Sequence, residues 1–229
     1  MARRRALFTL LCAALFVPQP AAAQTPASSA PDPASPPAQA VAPADAQRRY
    51  DALLAAVKQR DPSADLRELR NAFTETPAYR ATMMSAYQAL WGPLTKGDFA
   101  AALQVAEKVL AFNYVEINAH LVASVAHQQL GNAAAAQYHL DLANGLLQAV
   151  MSSGDGRTAD TPWVVIDISE EYAVMRALGL AAQSQALAEK DGVSLDVVQV
   201  VDLRTKEPRT LYFNVSRSMA AMTSRRPNP

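Results

Sequence analysis

The chain has 229 residues, of which 50% are hydrophobic and 18% are charged, with 21 basic and 21 acidic side chains. This composition excludes a wholly disordered chain, and the balanced charge gives no general attraction to nucleic acid or to an anionic membrane surface. The single cysteine, Cys12, excludes an internal disulfide framework and a cysteine-rich zinc site.

The N-terminus, residues 1–23, has the pattern of a secretory signal peptide. Three arginines precede an uncharged apolar run of 12 residues, Ala6–Val17, and an Ala-x-Ala cleavage site follows at residues 21–23. Twelve residues of helix extend about 18 Å, which is too short for a hydrocarbon core of about 30 Å. We therefore predict a periplasmic or secreted protein, cleaved near Ala23, with no stable membrane span after cleavage.

The composition changes several times along the remaining chain. Six prolines among alanine, serine and glutamine predict a disordered linker at residues 24–46. Apolar residues at helical spacing predict a helical region at residues 47–151, and β-rich runs predict a small α+β region at residues 152–217. Residues 218–229 are predicted to be a flexible tail.

The helical region contains an internal repeat. Segments that begin at Lys96-Gly97-Asp98 and at Leu130-Gly131-Asn132 both continue into alanines, and their glycines lie 34 residues apart. This spacing is the period of the tetratricopeptide repeat, a pair of helices that buries its apolar face by stacking on the next pair. We predict one such unit at about 83–116 and a second at about 117–150, with a break or kink at Gly92-Pro93.

Hairpin signals dominate the C-terminal part. Asp191-Gly192 predicts a tight turn that pairs Ser184–Glu189 with Leu195–Val201, although the alanine-rich first arm is equally compatible with a helix. Leu211–Val215 supplies a further strand, and Ser169 is the candidate N-cap of a short helix. The predicted fold class is α+β, with tetratricopeptide-like antiparallel helical hairpins packed on a small C-terminal antiparallel sheet.

Several short motifs, in this order, resemble the domain-of-unknown-function family 4919 over roughly residues 65–217. The pieces that carry the resemblance are Gly97-Asp98, Asn118-Ala119-His120, His139, Ser153-Gly154-Asp155-Gly156, Trp163-Val164-Val165-Ile166, Glu170-Glu171-Tyr172, Asp196 and Tyr212-Phe213-Asn214-Val215. The resemblance implies an exported bacterial protein and supplies no reaction. It directs attention to five side chains at motif positions: His120, His139, Asp155, Glu170 and Glu171.

The two motif histidines suggest a metal site. His120 and His139 belong to consecutive helices of one predicted pair, and both fall near its packing seam. Two imidazoles with a carboxylate from Asp155, Glu170 or Glu171 would suit zinc or another divalent metal. These five residues are also the candidate catalytic set of the alternative function, a metal-assisted hydrolase with its site between the helical and sheet halves. Packing of the histidines is the competing interpretation, and no cofactor other than a divalent metal is predicted.

The repeat also predicts a binding groove. Its candidate lining residues are Met84, Tyr87, Trp91, Asn118, Leu121, Val125 and Gln128. Such a groove could accept an extended peptide or a partner helix, and the competing interpretation is that this face packs on the rest of the protein. The leading hypothesis is a non-catalytic protein- or peptide-interaction module in the periplasm, and a purely structural role is a third reading. Full burial of Tyr87, Trp91, Leu121 and Val125 would contradict the groove.

Overall fold

Helices form the first part of the described chain. The structure is a computed structural model that describes residues 42–82 and 86–223, and within them seven helices precede the first strand. They are α1 (Pro43–Lys58), α2 (Leu66–Phe73), α3 (Pro77–Thr82), α4 (Ala86–Thr95), α5 (Phe99–Phe112), α6 (Ile117–Gln129) and α7 (Ala133–Met151). The predicted signal peptide and nearly all of the predicted linker lie outside the described residues.

Two boundaries differ from the sequence prediction because proline is compatible with particular helical positions. Pro43 and the three residues after it were assigned to the linker, but they form the first turn of α1, where a missing backbone N–H costs nothing. Pro93 was expected to break or kink its helix, yet α4 continues past it to Thr95. The preceding residue is Gly92, which has no Cβ to clash with the proline ring, and the helix ends within one turn.

The repeated glycines lie at matching places in the fold. Gly97 follows α4 and Gly131 follows α6, and both have positive φ, at 76° and 84°. The helices α4 to α7 each contact the next one along the chain. The tetratricopeptide assignment itself stays a prediction.

A four-stranded sheet completes the fold, and the α+β class is confirmed. Its strands are β1 (Trp163–Val164), β2 (Leu180–Lys190), β3 (Val193–Asp202) and β4 (Pro208–Asn214), with α8 (Ile168–Ala177) between β1 and β2 and α9 (Ser216–Thr223) after β4. The spatial order is β1-β4-β3-β2. The sheet is mixed and not antiparallel as predicted, because β1 pairs parallel to β4 while the other pairs are antiparallel.

The predicted hairpin is formed by β2 and β3, and the two predicted arms pair with each other. Ser184 is opposite Gln199 and Glu189 is opposite Ser194, so the first arm is a strand and the helical alternative is wrong. Asp191 and Gly192 have φ of 52° and 78°, the left-handed conformation that a two-residue hairpin turn requires.

Two clusters of buried apolar side chains hold the elements together. The first joins the helices to the sheet, and its largest fully buried members include Phe73, Leu146, Ile166 and Phe213. The second lies among α4, α5 and α6, where several fully buried alanines let the helices approach closely. The flexible tail was predicted to begin at residue 218, but α9 continues to Thr223 and its Ala221 is buried.

Candidate functional site

The first turn of α8 gathers acidic side chains where helices and sheet meet. α8 contacts α6, α7 and β2. Asp167 caps it by accepting a hydrogen bond from the backbone N–H of Ser169 at 2.8 Å, so Asp167 and not Ser169 is the N-cap. Glu170 and Glu171 follow and are only 3% and 1% exposed. Acidic residues favour a first turn because of the helix dipole, but carboxylates this deeply buried need specific partners.

Glu170 has its partner in Arg70 of α2. Arg70 Nε and Nη2 donate to the two carboxylate oxygens of Glu170, each at 2.6 Å, and both side chains are 3% exposed. Arg70 Nη2 also donates to the carbonyl of Val164, and the N–H of Ile166 donates to Glu170. Burial is the largest influence on the pKa of Arg70 and lowers it, but the charge of Glu170 and the hydrogen bonds to it together outweigh burial, so the pKa is raised. This pair fixes the segment between β1 and α8 against α2.

Glu116 forms a second buried group with the same turn. Its carboxylate accepts from the Ser169 hydroxyl at 2.7 Å and from the side-chain amide of Asn118 at 2.9 Å. The Asn118 amide also donates to the Ser169 carbonyl, and Arg176 donates to the Asn118 oxygen. Burial raises the pKa of Glu116 to about 7, although these hydrogen bonds oppose the shift. Asn118, predicted to line a groove, is therefore a buried connector between α6 and α8.

Glu171 lies against the hairpin and pairs with another acid, Asp196 of β3. The Gln185 side chain donates to both carboxyl groups. Burial, followed by the charge of Asp196, raises the pKa of Glu171 to about 9, so Glu171 keeps its proton at neutral pH. Among the described residues no amide or hydroxyl donates to the buried Oδ1 of Asp196. Because Glu171 is protonated, its carboxyl group can donate a hydrogen bond to the Asp196 carboxylate.

The three histidines of the chain lie together between α6 and α7. The Nδ1 atoms of His120 and His139 are 2.9 Å apart, and His120 Nε2 is 2.9 Å from the Tyr114 carbonyl. A carbonyl only accepts, so His120 Nε2 carries the hydrogen, its Nδ1 accepts, and His139 Nδ1 donates. Burial lowers the pKa of His120 to about 3 and that of His139 to about 4. The His127 ring stacks on His139, with 5.5 Å between ring centroids.

The proposed metal ligands do not assemble. His120 and His139 are in direct contact, but their Nδ1 atoms are already hydrogen-bonded to each other. His120 is also fully buried. Within residues 42–82 and 86–223, no three or more His, Cys, Asp or Glu side chains form a group that could hold a metal ion. The predicted set of two histidines and a carboxylate is therefore not brought together in the described part of the chain.

Asp155 lies in an exposed turn after α7. Its carboxylate accepts from the Thr161 hydroxyl at 2.6 Å and from the backbone N–H of Arg157 at 3.0 Å, and the Thr161 bond in particular lowers its pKa. The Gly156 carbonyl accepts from Tyr212 of β4, so this loop is tied to the sheet. The Ser-Gly-Asp-Gly motif thus closes a turn and does not direct Asp155 into a cleft.

The predicted groove positions are mixed in exposure. Trp91, Leu121 and Val125 are half-buried and Gln128 is exposed, whereas Met84 and Tyr87 fall outside the described side chains. The Arg176 guanidinium lies 4.4 Å from the centre of the Trp91 ring. Arg176 and Asn118 therefore occupy the part of this face that was expected to receive a ligand.

A comparison with protein-family models identifies the chain's relatives. The model of a domain of unknown function, DUF4919, matches residues 38–224. The chain belongs to the DUF4919 family. This confirms the resemblance carried by the motifs. Comparisons with the curated proteins and with the solved structures find no match.

Several residues of the buried network were not among the sequence candidates, although signals for two of them exist. In α2, positions 66, 69, 70 and 73 form one helical stripe, so Arg70 occupies an apolar face where an arginine needs a buried partner. Glu116 directly precedes α6, and its side chain caps that helix. Gln185 gave no signal, because its strand could equally have been a helix.

The described helices lack the properties of a membrane span. None of those within residues 42–82 and 86–223 combines the necessary length and apolar character.

Proposed function

We propose that this DUF4919 protein is exported to the periplasm and acts there as a non-catalytic interaction module that binds an extended partner segment along β2. The supporting observation is the exposure of this strand. β2 has 11 residues and lies at one edge of the sheet, with Leu180 buried and residues 182–189 exposed. Within the described part of the chain, β3 is the only strand that pairs with β2.

An exposed edge strand offers a row of backbone N–H and C=O groups to another strand. Proteins usually protect such an edge with proline, with charge or by making the strand very short. β2 is long and has neither proline nor charge from Leu180 to Ala188. A bulge, another device that protects edges, lies between Ala182 and Ser184, but the register is continuous from there to Lys190. The side chains of β2 from Leu180 to Ala188 are small, amide or apolar, so an extended segment of mostly uncharged residues is the matching partner.

The buried acids support a structural role over a catalytic one. Each acid in the first turn of α8 is matched with an internal group: Glu170 with Arg70, and Glu171 with Asp196. Glu116 likewise accepts hydrogen bonds from side chains within the protein. Such internal matching stabilises one packing of α8 on its neighbours and leaves little side-chain surface to meet a substrate.

The signal-peptide pattern supports the location. Sequencing the N-terminus of protein recovered from the periplasmic fraction tests it, and we expect the mature chain to begin at Gln24. Recovery of the intact N-terminus from the cytoplasm would contradict export.

The binding role is tested by placing a photo-activated cross-linking amino acid at Leu187, which is 60% exposed on β2. The matched control carries the same group at Phe112, which is 70% exposed at the end of α5. We expect a discrete cross-linked product from Leu187 whose linked peptide is an extended segment, and none from Phe112. Equal products from both positions, or none from Leu187, would contradict binding along β2.

A further inference from the structure

The part of β2 that can pair regularly is symmetric about one residue. A bulge interrupts its register with β3 between Ala182 and Ser184, and the hairpin turn ends it after Lys190. From Ser184 to Lys190 the register is continuous, and Leu187 is the middle residue of this segment. A two-fold axis through Leu187 would therefore superimpose the segment on itself in the opposite direction.

We propose that the partner of β2 is the β2 strand of a second copy of this chain, paired antiparallel about Leu187. This inference rests on the proposed function and names the partner. The result would be a continuous eight-stranded sheet across two copies. A contact of this kind is isologous, because the same patch is used on both sides, and it closes at a dimer.

The pairs that this register creates are compatible with one another. Leu187 faces Leu187 of the second copy, and Ala186 faces Ala188. Gln185 faces Glu189, and Ser184 faces Lys190, so each charged side chain lies opposite an uncharged one. No like charges lie directly opposite, which would destabilise the pairing.

The surroundings of the segment fit such a contact. Leu187 is the most exposed large apolar side chain of the described sheet at 60%, and pairing would remove it from water at the centre of the interface. Lys190 at the end of the segment already has a counter-charge in Asp160, so it adds little repulsion. Residues 184–189, whose side chains alternate between the two faces of the strand, are all exposed.

The first test measures the association of the purified protein by sedimentation over a concentration series. We expect the wild type to reach twice the chain mass. Leu187→Lys should weaken dimerisation about tenfold or more, because it puts two lysines at the axis and removes the leucine contact. Phe112→Lys, a change of the same kind at an exposed site outside the sheet, should leave the association unchanged. Far-UV circular dichroism checks that both variants are folded.

The second test examines the register by disulfide formation. Leu187→Cys puts two thiols at directly opposed positions, where Cα atoms are about 4.5–5.5 Å apart and a disulfide can form. Ala188→Cys puts them two positions out of line, beyond the roughly 7 Å limit for bridging. Both variants carry Cys12→Ala, because Cys12 is the native cysteine. We expect a covalent dimer from Leu187→Cys alone, at a protein concentration where Ala188→Cys gives none.

The outcomes separate this inference from the proposed function. A chain that stays monomeric at all concentrations, or equal disulfide yields from both variants, would overturn self-pairing. If that monomer still cross-links through Leu187 to a different protein, binding along β2 survives with another partner. If neither a second copy nor another protein is cross-linked, both proposals fail.

Discussion

Arg70 and Glu170 are 100 residues apart in the chain, yet they form a two-point ion pair with almost no contact with solvent. Removing either partner leaves an uncompensated buried charge, so we expect Arg70→Ala or Glu170→Ala to lower the free energy of unfolding by about 3–5 kcal/mol. Urea denaturation of the purified variants measures this.

An exposed ion pair in the same region provides the control. Arg49 pairs with Glu68 while their side chains are 45% and 38% exposed, so Arg49→Ala should cost about 0–1 kcal/mol. The double variant Arg70→Met with Glu170→Leu should be more stable than either alanine variant, since it removes both charges together. Equal effects at Arg49 and Arg70 would show that burial of the pair is not the cause.

The acid pair under the hairpin predicts a decrease in stability with rising pH. The pKa of Glu171 is about 9 in the folded protein, against an ordinary value of 4.5. Between these two values the folded protein keeps a proton that the unfolded chain has released. Stability therefore falls as pH rises through this window, by at most about 1.4 kcal/mol per pH unit.

Glu171→Gln should remove this dependence, because glutamine resembles the protonated acid in shape and can donate to Asp196. We expect the variant to be more stable than the wild type at pH 8 and to differ little at pH 4.5, as measured by thermal melting. Glu189→Gln, at an exposed position of β2, is the control. If the melting temperatures of Glu171→Gln and the wild type differ by the same amount at both pH values, the pKa of Glu171 is not raised.

The histidine pair predicts the opposite trend at lower pH. The pKa values of His120 and His139 lie at about 3 and 4 in the folded protein, below the ordinary 6.5. Their contribution to stability is complete above pH 6.5 and is lost as pH falls through the folded values, because the unfolded chain takes up protons first. His139→Ala should flatten the stability profile between pH 4 and 6.5.

Nitrogen NMR tests the same pair directly. We expect a hydrogen on Nε2 of His120 and on Nδ1 of His139, and no protonation of either ring above about pH 5. A His139 that titrates near pH 6.5 would show that the ring is not held neutral by burial.

Two glycines with the same backbone conformation allow the cost of side-chain crowding to be measured separately from the cost of backbone strain. Gly156 and Gly179 have φ of 64° and 66°, but a Cβ at Gly156 would overlap the Trp163 ring, whereas one at Gly179 meets open space. Gly179→Ala should cost about 1 kcal/mol for the backbone alone. Gly156→Ala should cost about 1–3 kcal/mol more, because the indole must move. Equal losses in chemical denaturation would show that Trp163 yields freely.

Local sequence patterns predicted the helices and strands better than they predicted which of these elements and side chains pair with each other. Apolar spacing indicated the helices, and Asp191-Gly192 indicated the hairpin, because both signals arise from neighbouring residues. The parallel pairing of β1 with β4 was missed, since it depends on residues far apart in the chain. The same holds for the ion pair of Arg70, which no short-range motif could connect to Glu170.

The candidate site shows this limit most clearly. His120 and His139 were expected near one seam, and the structure puts them in contact, but the ligand hypothesis also needed a carboxylate from Asp155, Glu170 or Glu171. Asp155 is held in its own turn by Thr161, six residues further along. A motif of glycine and aspartate indicates a turn reliably, whereas the direction of its side chain depends on the strand that follows.

The parallel pair of β1 and β4 has a consequence for how the chain completes its folding. Trp163 is opposite Phe213, 50 positions later, and α8 and the hairpin lie between them. β1 has two residues and pairs only with β4 among the described strands, so its sheet pairing forms only after β4 has been made. During synthesis the helical layer emerges first, and the sheet closes only when the last strand arrives. A chain truncated before Pro208 would lose β4, the sheet pairing of β1, and the hydrogen bond between the Gly156 carbonyl and Tyr212.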